Sequence, residues 1–79
     1  MRMAIDQKYG RVTLELGTVG EDEPVIVFRA QDAILPLLLG RYYILCEENG
    51  SPEKHLKAIN KAKKAILEWQ KINKTKIPD

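Results

Sequence analysis

The chain predicts an α+β domain: a three-stranded, mainly antiparallel sheet followed by an α-hairpin, in the order β-β-β-α-α. Three observations lead there. Residues 2–17 alternate weakly in hydropathy about Gly10, Val25 to Phe28 is an unbroken apolar run, and two long helix-spaced stretches flank Asn49-Gly50-Ser51-Pro52.

Taken in order, residues 2–9 and 11–17 read as a hairpin with one wet face, Val12, Leu14 and Leu16 lying opposite Arg11, Thr13 and Glu15. Gly17 to Pro24 is a turn, because two glycines permit positive φ, three acids resist burial, and Pro24 can open a strand but not sit inside one. Val25 to Phe28 is apolar on both faces and is expected to be the central, best-covered strand. A helix is then expected over 33–48, with Asp32 as N-cap, Pro36 in its first turn and Asn49-Gly50 as a left-handed terminator. Its apolar residues between Ile34 and Cys46 cover most of the circumference, more than one packed face can bury. A homodimer that covers Leu35, Leu39 and Tyr43 is therefore expected.

Ser51 is a good N-cap and Pro52 a good first residue for a second helix running to about Asn73. At 100° per residue, Ile59, Ala62, Ala65, Ile66 and Trp69 share an inner face, and Lys54, Lys57, Lys61, Lys64 and Lys71 share the opposite one. The small alanines favour close approach, so the two helices are expected to lie as an antiparallel pair on the sheet, with Trp69 packed inside. Residues 74–79 are expected to fray.

Seventy-nine residues make one domain, residues 1–79, close to the size at which a single core supplies little net stability. With 44% hydrophobic and 30% charged residues the chain is too apolar for disorder, and no apolar run approaches the roughly 20 residues that would span a bilayer. The single cysteine, Cys46, permits no internal disulfide, and Met1 to Lys8 shows no secretory signal. The expectation is a cytoplasmic protein with no membrane partner. Net charge is +2 but uneven: residues 1–50 carry five Lys and Arg against eight Asp and Glu, residues 51–79 eight Lys against three acids. The lysines read first as a solvated helix face. Weak nucleic-acid binding along them ranks last among the functions considered, since the stripe contains no arginine and no exposed stacking aromatic.

Much chemistry is not provided for. One histidine and one cysteine, with no motif around either, do not make a nucleophile and base, so no enzyme and no catalytic residue is expected. Cys46 reads as a small core residue, and His55 as a residue packed against the end of the first helix. No cysteine pair, histidine pair or alternating acidic loop suggests a metal site, and Gly10, Gly17 and Gly20 form no phosphate-binding loop, so no cofactor is expected either.

The junction Arg29-Ala30-Gln31-Asp32 is the one suggestive spot. Arg29 follows an apolar strand and can offer a planar fork to a carboxylate or phosphate, with Gln31 and the first helical amides nearby, and Asp32 can accept from a ribose hydroxyl. The plain alternative is that Asp32 caps the helix, Arg29 pairs with Glu23 or Glu48, and Gln31 faces solvent. The expected ligand-binding residues are therefore Arg29, Gln31 and Asp32.

Across residues 22–70 the chain resembles a group of small uncharacterised proteins of tailed phages and prophages. The resemblance rests on Glu23-Pro24-Val25, Arg29-Ala30-Gln31-Asp32, the following apolar helix and Trp69-Gln70, with Phe28 where that group more often carries leucine. It implies a phage accessory protein, at work in the host cell cytoplasm, and carries over no functional residue. The leading expectation is thus a non-enzymatic, homo-oligomeric protein that binds a small anionic ligand, in one version sequestering a nucleotide-type host defence signal. The alternative is an adaptor that binds a phage or host protein through the surplus apolar surface of residues 34–46.

Overall fold

Residues 4–79 are described in a computed structural model of the protein, so the start of the first expected hairpin segment, at residues 2 and 3, lies outside them. Three short strands, β1 (Ala4–Asp6), β2 (Gly10–Val12) and β3 (Pro24–Val25), are followed by helices α1 (Leu35–Glu48) and α2 (Glu53–Ile72). The order β-β-β-α-α and the α+β class are as the sequence implies. The sheet is mixed, with β1 in the middle, antiparallel to β2 and parallel to β3.

The hairpin is shorter than its alternation suggests. Ala4 pairs with Val12 and Asp6 with Gly10, after which the chain leaves the sheet and both Leu14 and Leu16 are exposed. Gly10 opens β2 at φ +87°, a conformation that L side chains rarely adopt. The apolar run is corrected more sharply. Only Pro24 and Val25 are strand, at the sheet's edge rather than its centre, because β1 ends at Asp6 and offers nothing for Ile26 to Phe28 to pair with. Ile26 is 72% exposed, and Phe28 is also exposed.

Pro36 sets the start of α1. Its missing N–H prevents a bond to residue 32, so the first α-type bond runs from Leu38 N to Ile34 O (3.1 Å). Ile34, not Asp32, is therefore the N-cap; the Asp32 carboxylate instead accepts from Ile34 N (2.8 Å) in the turn before the helix. At the other end Asn49-Gly50 terminates α1 as expected. With Gly50 at φ +79°, Ser51 N reaches Cys46 O (2.9 Å) and Gly50 N reaches Glu47 O (3.2 Å), the paired bonds of a Schellman motif. The second helix begins one residue later than expected, with the Pro52 carbonyl accepting its first bonds and Ser51 making no side-chain cap. Asn49 and Asn73 each donate a side-chain amide to the carbonyl four residues back, those of Leu45 (2.7 Å) and Trp69 (2.8 Å).

The helices run antiparallel: Cys46 clusters with Leu56 and Ile59, flanked by Leu39 and Tyr43, while an added Cβ at Gly40 would meet Lys63 Nζ at 3.2 Å, farther down the pair. Cys46 is thus the core residue the sequence suggests. The helices do not lie across the sheet as expected; extended packing joins α1 to α2 and β1 to its two neighbours. Strands of two and three residues have no broad face to cover.

The inward face of α2 is also different. It is formed by Leu56, Ile59, Lys63, Ile66 and Gln70, turned about 75° from the expected Ile59-Ala62-Ala65-Ile66-Trp69 face at 100° per residue. Trp69 is consequently 40% exposed. Gln70 supplies the physical reason: its side-chain amide donates to Ala30 O (2.9 Å) and Asp32 O (3.0 Å), which pins the helix by a polar contact that hydropathy does not record. Nor do residues 74–79 all fray, because Lys76 N donates to Gln31 O (2.9 Å) and Ala33 N to Lys76 O (2.9 Å).

Leu56→Ala and Ile59→Ala should each cost about 2–5 kcal/mol as truncations in the helical core. Trp69→Ala should cost less than either, since its ring is already part-solvated. Urea unfolding followed by far-ultraviolet circular dichroism orders the three; a midpoint loss largest for Trp69→Ala would contradict this packing.

Candidate functional site

A cleft of about 380 Å³ opens between the turn after β1, the extended segment after β3, the junction before α1 and the chain beyond α2. Asp6 organises it. This aspartate is 3% exposed on the central strand, and its carboxylate accepts from Lys8 N (2.8 Å) and Tyr9 N (2.7 Å) through Oδ1 and from Val27 N (2.6 Å) through Oδ2. The first two bonds close the turn that presents Lys8 and Tyr9. The third holds the apolar segment Ile26 to Phe28 against the same strand end, so both walls hang on one side chain.

The hydrogen bond from Tyr9 N, with those from Val27 N and Lys8 N and the nearby Lys8 charge, keeps the Asp6 carboxyl below its ordinary value of 3.8 despite burial, which pushes the other way. Asp6 was not among the residues the sequence suggested. A signal was present: an acid followed by Gln7-Lys8-Tyr9-Gly10 has the form of a turn in which an aspartate oxygen receives the amides two and three residues on.

Of the expected site residues, Arg29, Gln31 and Asp32 all line the cleft. Arg29 is exposed and, among the described residues, makes no ion pair; neither Glu23 nor Glu48 claims it. Gln31 is half-buried and its backbone carbonyl is taken by Lys76 N. Asp32 is tied locally, its Oδ1 by Ile34 N and its carbonyl by Gln70 and Leu35 N. The helix-start amides expected to meet an anion are occupied as well, that of Ala33 by Lys76 O and that of Ile34 by Asp32 Oδ1. An anion here would have to be held by side chains.

Those side chains are Arg29, Lys8 and Lys76, all on the cleft. Asp79 already engages two of them: Lys8 Nζ donates to its backbone oxygen (2.9 Å), and Lys76 Nζ lies 3.1 Å from its carboxylate. The Lys76 hydrogen bond keeps the Asp79 carboxyl below its ordinary value. Both members of that pair are well exposed, so it is weak and readily displaced. The exposed rings of Tyr9 and Phe28 add flat apolar surface to the same cleft, with Lys8 Nζ 5.8 Å from the Tyr9 ring centre.

Elsewhere, of the three expected interface residues, Leu35 is buried within the chain and Leu39 and Tyr43 pack against the cluster between α1 and α2. His55 packs on α1 as expected, though exposed, edge-on to Tyr42 at 5.9 Å with Tyr42 Oη 3.3 Å from Nε2. The five lysines of the α2 stripe are exposed. Among the described residues no three His, Cys, Asp or Glu are placed to hold a metal ion, and no helix is long and apolar enough to cross a membrane. No protein-family model matches the chain, and neither a curated protein nor a solved structure matches it.

Because the folded carboxyl of Asp6 sits below its unfolded value, the stability it contributes is present above about pH 3.8 and is lost as pH falls through the lower folded value. Asp6→Asn should therefore be less stable than the parent at pH 7, and the gap should close in strongly acid solution. Urea midpoints measured across that range test it; a gap that widens with acid would reverse the assignment.

Proposed function

We propose that the chain is a binding protein without catalytic turnover, and that the cleft takes a small anionic ligand of nucleotide type. The observation that supports it most is Arg29: an arginine that lines a cleft with no carboxylate partner is available to a ligand, whereas a structural arginine is paired within the fold. The volume lies within the range of about 300–1,000 Å³ usual for small-molecule sites. Cations at Lys8, Arg29 and Lys76 suit phosphate oxygens, and Tyr9 and Phe28 suit a flat base. For a phage accessory protein, as the resemblance implies, stoichiometric sequestration of a nucleotide-type defence signal in the host cytoplasm is the concrete version.

Thermal-shift and calorimetric titration with cyclic nucleotides and ADP-ribose test this. A ligand at a hundredfold excess over its Kd stabilises the folded state by about 2.7 kcal/mol. Arg29→Ala should abolish that binding while leaving the urea midpoint near the parent's. Loss of stability in place of loss of binding would make the arginine structural and bring the adaptor reading forward. Asp79→Ala should strengthen anion binding by removing the carboxylate that competes for Lys76 and by loosening the contact with Lys8. Unchanged affinity in that variant would place the ligand away from the two lysines.

A further inference from the structure

The outer face of α1 lies opposite its packed face and is left uncovered by the described residues. Leu37 is 71% exposed, Ile44 53% and Leu45 56%, with Ile34 and Leu38 also exposed. At 100° per residue these five fall within one stripe about 120° wide, and Arg41 and Glu48 lie inside it. Two opposite charges thus sit in the middle of an apolar surface, both exposed and, among the described residues, without an ion pair. They are seven residues apart, about 10 Å along the axis, too far to meet each other within the helix.

The charge placement selects an occupant. Two copies of α1 packed parallel set Arg41 against Arg41 and Glu48 against Glu48. Packed antiparallel about a twofold axis between Ile44 and Leu45, they set residues that mirror about the axis face to face. Arg41 then meets the partner's Glu48, twice by symmetry, with Ile44 and Leu45 of both copies flanking the axis. One register therefore pairs both charges and buries the apolar centre.

Surface area leaves room for such an interface. A compact monomer of 9.0 kDa exposes about 4,900 Å², yet this chain exposes 6614 Å². Its radius of gyration is 14.1 Å, against about 12 Å for a compact domain of this length. The excess of about 1,700 Å² is spread over the whole chain, Leu16, Ile26, Ile72 and Ile77 included, so it leaves room for an interface of roughly 800 Å² per partner without marking where it lies. We infer that the outer face of α1 is a homodimer interface, built antiparallel about Ile44 and Leu45 and keyed by Arg41 to Glu48 across the twofold axis. It contains no cleft residue, so it stands or falls independently of the ligand.

Sedimentation equilibrium of the full chain up to several hundred micromolar tests it, with circular dichroism confirming that each variant is folded. The parent should be dimeric. Arg41→Glu and Glu48→Arg should each weaken the dimer by at least about tenfold through like-charge contact, and the double reversal should return affinity to near the parent's. Ile44→Glu, at the centre of the face, should give a folded monomer. A parent that stays monomeric throughout, single reversals that leave the dimer intact, or a double reversal that fails to restore it would each overturn the proposal, the first leaving this face to a different protein.

Discussion

The buried carboxylate of Asp6 is the constraint on which the sheet and the cleft both depend. A charged group at 3% exposure is tolerable only when its oxygens are fully engaged, and three backbone amides from two separate segments engage them. The demand for those donors closes the turn after β1 and draws the chain beyond β3 alongside it. In a sheet with strands of two and three residues, ladder hydrogen bonds alone could not hold that second segment. Two walls of the cleft therefore follow from satisfying one acid, which orders the backbone that carries Lys8 and leads to Arg29, while Lys76 is held by its own pairing with Gln31 and Ala33.

A comparable polar constraint operates at the other end. Gln70 clamps α2 to the carbonyls of Ala30 and Asp32, and the chain beyond the helix adds a short pairing at Lys76. Together they tie the helical pair to the strand–helix junction through polar contacts. The apolar core is small in consequence, limited mainly to Cys46, Leu56 and Ile59 with Leu39 and Tyr43 around them. Such a protomer leaves apolar surface uncovered, which accounts for both the exposed outer face of α1 and the exposed wall of the cleft.

Several features were legible in the residues because their causes are local. Asn49-Gly50 ends α1 through backbone conformation alone, and Pro36 belongs near a helix start because it lacks an N–H. The excess of apolar residues on the first helix was legible too, and so was the placing of Arg29, Gln31 and Asp32 at one junction. What failed was phase. Leu35, Leu39 and Tyr43 were expected at an outer interface, yet Leu35 is buried within the chain and the other two pack against the helical cluster, and Trp69 was expected inward and is part-exposed, because a helix apolar nearly all round does not announce which side meets its neighbour. Hydropathy also had no means of ranking Gln70 above Trp69, since the glutamine's partners are carbonyls some 40 residues earlier.

By itself, then, the sequence determined the α+β class, the number and order of elements, the C-terminal ends of the helices and the absence of the familiar catalytic and phosphate-binding motifs. Each follows from short-range effects: hydropathy period, φ preference and residue chemistry at fixed spacing. Only the tertiary structure decided that Val25 to Phe28 lines a cleft at the sheet's edge, that the helix-start amides are already occupied, and that Lys8, Arg29 and Lys76 share one site. Those outcomes depend on which distant groups donate to Asp6 and which accept from Gln70 and Ala33. Such pairings are set by the whole fold at once, and no local pattern encodes them.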